Sequence, residues 1–351
     1  MKTFRKNLSL LLALIMCLST VSIAATAAEI KYDGAWTYMV EGGTATIYFC
    51  DNTITGDVTI PSTLGGYKVT AIAEKAFNNR DSFNSVTLPD SVITIGNEAF
   101  KASALTSIKF GKGLKTIAAN AFAFCTGLTS LSIPDNVTTI GEYAFYNCTS
   151  LAKVTIGKGV TTIPNNAFNT CTNLEDLTIG NNVTTIGNSA FINCYSLTSI
   201  AMPDSLTTID SSAFRSCNSL IAITFGKNIK SIGYGAFTGC AKLTDVYFKG
   251  KTSEWNSVTI GYSNAPLTNA NIHILGDPII PVNPDNPGTP SNPDTPDNPG
   301  SADDDNNQVS CGCKCHSKGL KKFLFKIMLF FQKIFRKNQS CACGALHYVI
   351  L

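Results

Sequence analysis

Apolar positions recur along this chain on a fixed beat. In the stretch LTSLSIPDNVTTIGEYAFYNC, residues 128 to 148, they are Leu128, Leu131, Ile133, Val137, Ile140, Ala144, Phe145 and Cys148, and the set returns in unit after unit. LTSLSI alternates as a half-buried strand does, and VTTI predicts a second, shorter strand. Turn residues part the two, Pro134-Asp135 in this unit and Gly157-Lys158-Gly159 in the next. The GEYAF step leaves room for about one helical turn.

Aligning the units on their Ala-Phe pair gives Phe77, Phe100, Phe122, Phe145, Phe168, Phe191, Phe214 and Phe237, at intervals of 23, then 22, then 23 throughout. A fixed period in the range of about 20–50 residues signals stacked repeats. No single unit can bury its own apolar side, so each must stack on its neighbours. The phenylalanines then form a continuous spine, each ring worth roughly 1.5–3 kcal/mol on burial. The pattern predicts a repeat solenoid, mostly β, built of short strands and turns in about eight units of 23 residues.

Cysteine follows the same beat. Cys125, Cys148, Cys171, Cys194, Cys217 and Cys240 each lie three residues after the spine phenylalanine. Stacking at about 4.8 Å would bring their Cα atoms within disulfide range, but parallel side chains hold the Cβ atoms slightly too far apart. Arg80 and Ser103 occupy this position in the first two units, which therefore close without a thiol. The ladder reads as small buried packing atoms, with paired cysteines or a metal-binding ladder as competitors.

The unit LTSLSIPDNVTTIGEYAFYNC resembles the bacterial BspA-type leucine-rich repeats, over about Ala45 to Leu275 and eight times over. The resemblance implies an exported, curved solenoid used for adhesion or protein binding. TATIYFCDNTITGDVTIPSTLGGYKVTAIAEKAF looks like the N-terminal cap of that family and YFKGKTSEWNSVTIGYSNAPLTNANIHIL like its C-terminal cap. Open solenoid ends need such covers. Trp255 is expected to plug the last coil.

Candidate chemistry within the repeats is sparse. The histidines are His273, His316 and His347, so residues 29–272 contain no Ser-His or Cys-His nucleophilic pair. Glu175-Asp176 is an adjacent carboxylate pair, expected to point to opposite strand faces. No phosphate-binding glycine loop of the Gly-x-x-x-x-Gly-Lys-Ser/Thr kind occurs. What the repeats present is a stripe at Lys109, Ser132, Thr155, Thr178, Ala201, Thr224 and Tyr247, flanked by Thr138-Thr139, Thr161-Thr162, Thr184-Thr185 and Thr207-Thr208. These threonines suit exposed strand positions, and the alternative is a regular hydroxyl array for a periodic partner such as a glycan. Tyr247 alone offers an aromatic anchor on the stripe.

Charge divides the chain. Residues 29–276 carry 16 Lys/Arg against 17 Asp/Glu, residues 277–305 carry seven Asp and no base, and residues 306–351 carry eight Lys/Arg and no acid. A near-neutral repeat region argues against a nucleic-acid partner. At the start, Lys2, Arg5 and Lys6, the apolar run Leu8–Ile23 and Ala25-Thr26-Ala27 read as an export signal over 1–28. The expected domains are then an N-terminal cap at 29–72, repeats at 73–248, a C-terminal cap at 249–276, a spacer at 277–308 and a tail at 309–351. In the spacer a proline falls at every third residue from Pro278 to Pro299, the period of a polyproline II helix about 70 Å long.

The tail places Lys322, Phe323, Lys326, Ile327, Phe330, Phe331, Lys333 and Ile334 in a basic amphipathic helix suited to an anionic membrane surface, or to docking on protein. Around it stand Cys311, Cys313, Cys315, His316, Cys341, Cys343 and His347, a set that suits tetrahedral zinc, disulfides or thiol modification. The tail also looks like C-terminal segments on diverse surface proteins of anaerobic gut bacteria. Two functions follow. The favoured one is a non-catalytic adhesion or binding protein, secreted and retained at the bacterial surface, whose partner is a surface protein or glycan. The other is a secreted enzyme with a metal-dependent site in the tail, disfavoured because residues 306–351 hold no carboxylate to act as general base.

Overall fold

The alternation within each unit folds as read. In this computed structural model, which describes residues 29–278, Ser130–Ile133 and Thr139–Ile140 are strands, with Leu131, Ile133 and Ile140 buried and Ser130, Ser132 and Thr139 exposed. The export signal, nearly all of the spacer and the Cys/His tail, with every metal and membrane-contact candidate named above, lie outside the described residues.

Each strand pairs in parallel with its counterpart one unit along. Ser130, Leu131, Ser132 and Ile133 sit in register with Lys153, Val154, Thr155 and Ile156. The shorter strands do the same from Thr162–Ile163 through Thr185–Ile186, Thr208–Ile209 and Ser231–Ile232 to Thr259–Ile260. The result is a mostly-β solenoid of about 10 turns of about 23 residues. Eight units carry the Ala-Phe pair, and the flanking segments wind one further turn at each end. Thr44–Cys50 and Gly56–Thr59 pair with the first unit, and Thr259–Ile260 and Asn271–Ile274 with the last.

The spine forms. From Phe100 to Phe237 successive rings lie 5.1 to 5.4 Å apart with planes within 8° of parallel, an offset stack. The one 22-residue interval does not disturb it, because the missing residue falls in the turn between Ser103 and Leu105, beyond the ring.

The GEYAF step is not a helical turn. Two residues per coil, four apart, take positive φ: Asn120 and Phe124, Tyr143 and Asn147, Asn166 and Thr170, Ser189 and Asn193. Each left-handed residue ends the incipient helix, so the segment becomes two linked turns around the buried Ala-Phe pair. Its amides reach across to the next coil, as when Phe145 N–H donates to Ala167 O at 2.9 Å.

At the turn after the longer strand, coils nest through missing atoms. A Cβ on Gly111 would lie 2.1 Å from Pro89 O, and one on Gly157 2.5 Å from Pro134 O. Glycine there lets a coil settle onto the proline turn beneath it.

The ends close differently. At the start, Ile30–Asp33, Trp36–Glu41 and Thr44–Cys50 form an antiparallel meander. Buried Arg80 donates to Cys50 O and Asn52 Oδ1 and lies over the rings of Phe49 and Phe83 at 5.0 and 5.7 Å. At the far end, the short helix Thr252–Asn256 sets Trp255 against Phe248 and Phe225, 5.3 and 5.7 Å away, a packing role as expected. Asn264 then takes the place of an absent coil. In the repeats a spine N–H donates to a carbonyl of the next coil, as Phe214 does to Ala236 O. The last, Phe237 N–H, donates instead to Asn264 Oδ1 at 2.9 Å. Asn264 Nδ2 donates to Gly233 O and Gly261 O at 2.9 and 2.7 Å.

Candidate functional site

The cysteine ladder is internal. All six residues have no exposed surface, and they are free thiols. Each Sγ donates to the carbonyl of a spine phenylalanine: Cys125 to Phe100 O at 3.0 Å, Cys148 to Phe122 O at 3.2 Å, Cys171 to Phe145 O at 3.3 Å. That carbonyl already accepts a backbone N–H, Cys125 N–H in the case of Phe122 O, so the thiol fills its second lone pair. The position thus wants a small apolar atom that is also a weak donor, which alanine cannot supply. Ser103, at the same position one coil earlier, bonds within its own coil instead, donating to Phe100 O at 2.7 Å. Burial pushes the thiol pKa of Cys125 up to about 11 and that of Cys171 up to about 12. Since the thiolate is the nucleophile, these groups are inert in the folded state. In differential alkylation of the full chain followed by peptide mass analysis, the six should resist reagent when folded. They should label fully after unfolding without reductant, whereas peptides joined by disulfides would refute the packing role.

The strand stripe forms in the expected register. Ser132 pairs with Thr155 and Thr155 with Thr178; Ala201 pairs with Thr224 and Thr224 with Tyr247. The flanking hydroxyls, however, are partly engaged within the solenoid. Thr138, Thr184 and Thr207 donate to carbonyls of the preceding coil at 3.4, 3.2 and 3.1 Å. These threonines brace coil to coil, which weakens the hydroxyl-array reading. Glu175 and Asp176 are both exposed, since Glu175 lies just before the strand Asp176–Thr178, where the alternation has not yet begun.

At its far end the stripe acquires a neighbour that sequence reasoning set aside. Tyr247 pairs in register with His273, and their rings stack at 4.6 Å and 16°. His273 Nε2 lies 2.8 Å from Asp245 Oδ1, and Thr244 Oγ1 donates to Asp245 Oδ2 at 2.8 Å. Partial burial would raise the Asp245 carboxyl pKa, but the hydrogen bonds from His273 and Thr244 outweigh it and hold the carboxyl below its ordinary value. With a depressed folded value, the contact stabilises above the ordinary carboxylate range and is lost as pH falls through the folded value. The 28-residue step from Asp245 to His273 hid this cluster, because it breaks the period of 23. Among the described residues no group of three or more His, Cys, Asp or Glu is placed to hold a metal.

A second aromatic group stands on the turn side. Tyr146 packs edge-on against Phe124 at 5.1 Å and 86° and against Tyr143 at 5.8 Å and 80°. Phe124 and Tyr143 are exposed, and both hold positive φ, +62° and +58°. Bulky side chains at such angles are outliers. Neither position repeats as an aromatic, so periodicity did not reveal them.

The BspA type leucine rich repeat region matches residues 47–175 and 161–274, together more than half of the chain. Among solved structures, a leucine-rich-repeat protein from Bacteroides ovatus is 22% identical, with 72% of this chain and 77% of that one covered at a TM-score of 0.39. One from T. pallidum is 22% identical, with 66% and 86% covered at 0.36. One from Bacteroides capillosus is 33% identical over 36% of this chain and 96% of its own, at 0.33. No curated protein matches. On the family match, over repeats whose strands, spine and turns are those described above, the chain belongs to the BspA-type leucine-rich-repeat family.

Proposed function

We propose that this protein is an exported, non-catalytic binding module that works at the cell surface, its repeats engaging a surface protein or glycan. The observation that carries the reading is the division between buried and exposed side chains. The ladder thiols point inward and are bonded there, while Tyr247 with His273, and Phe124 with Tyr143, stand at the surface. Exposed aromatic groups are the anchors that binding surfaces favour. The basic, aromatic tail, with eight Lys/Arg and no acid over residues 306–351, supplies the attachment to an anionic surface.

The test is an array of glycans and surface proteins probed with the full chain at low and high salt. Binding to at least one surface macromolecule is expected, and where the repeats make the contact its affinity should be nearly unchanged by salt, because they carry 16 basic against 17 acidic residues. Absence of any binding, or salt-sensitive binding to DNA alone, would overturn the proposal.

A further inference from the structure

We infer that the cluster of Phe124, Tyr143 and Tyr146 is a binding site for a neutral saccharide. This rests on the binding reading above and names its ligand class.

The first support is conformational. Every coil places a residue at each of two left-handed positions; asparagine and glycine, which tolerate them, hold seven of the sixteen, and Lys75, Glu98, Ala102, Thr170 and three serines hold others, but only here are they aromatic. Phe124 stands where other coils have Asn79, Asn147 and Asn193, and Tyr143 where they have Asn120 and Asn166. An aromatic ring at such a position is held against the backbone preference, and residues so held gather at functional sites. Two of them, one coil apart, meet at one central ring, Tyr146.

The second support is size. Phe124 is 40% and Tyr143 37% exposed, so with Tyr146 the patch offers on the order of 200 Å². A stable protein partner or a second copy needs about 800 Å² from each side. The patch is too small for either but matches one or two sugar rings.

The third support is surrounding chemistry. The residues in register with the three rings on adjoining coils are Ala102, Ala123, Asn120, Asn147, Asn166 and Asn169, none of them charged. The nearby carboxamides are preoriented: Asn169 Nδ2 donates to Asn166 Oδ1 at 2.9 Å, and Asn165 Nδ2 donates to Glu142 Oε1 at 3.0 Å. A sugar ring offers C–H faces that stack on aromatic faces and hydroxyls that pair with amides and a carboxylate. Glu142, next to Tyr143, is acidic, which favours a neutral glycan over an anionic one.

Phe124→Asn and Tyr143→Asn introduce the residue that other coils carry, so the variants should fold and melt no lower than the parent. Full-chain protein and the double variant are titrated with neutral oligosaccharides (xylo-, manno-, gluco- and galacto-oligosaccharides) and with any proteins found on the array, alongside Tyr262→Ser as a control at an exposed tyrosine elsewhere. We expect at least one neutral oligosaccharide to bind. We expect the double variant to lose tenfold or more in affinity for it while retaining protein partners, and Tyr262→Ser to leave it unchanged. Saccharide binding undiminished in the double variant, or abolished by Tyr262→Ser, overturns the inference. So does a chain that binds proteins but no neutral saccharide, an outcome that leaves the binding reading standing.

Discussion

Replacing Phe168 by alanine is expected to destabilise the solenoid by about 3–5 kcal/mol. The ring has no exposed surface and lies between Phe145 and Phe191 at 5.2 and 5.3 Å, so its loss opens a cavity bounded by both. Neither neighbour can move in to fill it, because each coil is bonded to the next through the backbone, as Phe168 N–H is to Ala190 O at 2.8 Å. In a stacked array each coil meets only its neighbours, so a mid-array cavity weakens the coupling of the two halves. The two tryptophans, Trp36 and Trp255, belong to opposite end segments and report on the halves separately in single-tryptophan versions. Urea unfolding should show the two signals parting in the variant. Cys171→Ala, which removes one small buried group and a weak donor, should cost only about 1–2 kcal/mol. A Phe168→Ala loss below that of Cys171→Ala would show that the spine is not what holds the coils.

Asn264→Leu is the second large effect, and it is local. The change keeps volume but removes the acceptor of Phe237 N–H and the donor to Gly233 O and Gly261 O. Leaving a buried group unsatisfied costs about 1–3 kcal/mol, which falls in full on Phe237 N–H; Gly261 O also loses a donor while Gly233 O keeps Ala236 N–H, so the total should be about 3 kcal/mol. Native-state hydrogen exchange should locate the damage, with Phe237 N–H losing protection while Phe145 N–H keeps its own. Asn264→Asp retains the acceptor for Phe237 but not the amide donor, and should fall between. Uniform loss of protection along the array would show that Asn264 does not act as an end stop.

The sequence disclosed what repeats and concealed what does not. Leu131, Ile133, Ile140 and Phe145 announce their burial by recurring, which sets the strands, the register and the spine at once. Terminal turns escaped the count of eight because they lack the Ala-Phe pair. The turn at GEYAF was misread as helical because a left-handed angle at Tyr143 is a choice of the surrounding coils, which the residue itself does not favour. Cysteine was rightly read as buried, but its bond to the preceding phenylalanine carbonyl depends on the coil-to-coil offset, a three-dimensional quantity. Both aromatic clusters were missed for one reason. Tyr247 with His273, and Phe124 with Tyr143, are exceptions to the beat, and contacts between exceptions appear only once the coils are stacked.

The glycine and proline turns carry a consequence for how near-identical units thread in the right order. A chain of look-alike coils risks skipping one during folding and stacking a unit on the wrong predecessor. Here Gly111 separates Pro89 from Pro134, and its absent Cβ is what lets it sit on Pro89 O. Were the intervening coil looped out, Pro134 would be set against Pro89, and a proline Cβ would fall where even glycine has little room to spare. The mis-threaded array is thus penalised by a backbone collision at its first wrong step. From Pro89 through Gly111 and Pro134 to Gly157 the alternation of bulky and bare turns acts as a parity check on neighbour order, one that lapses where Gly180 follows Gly157 and that is independent of the spine.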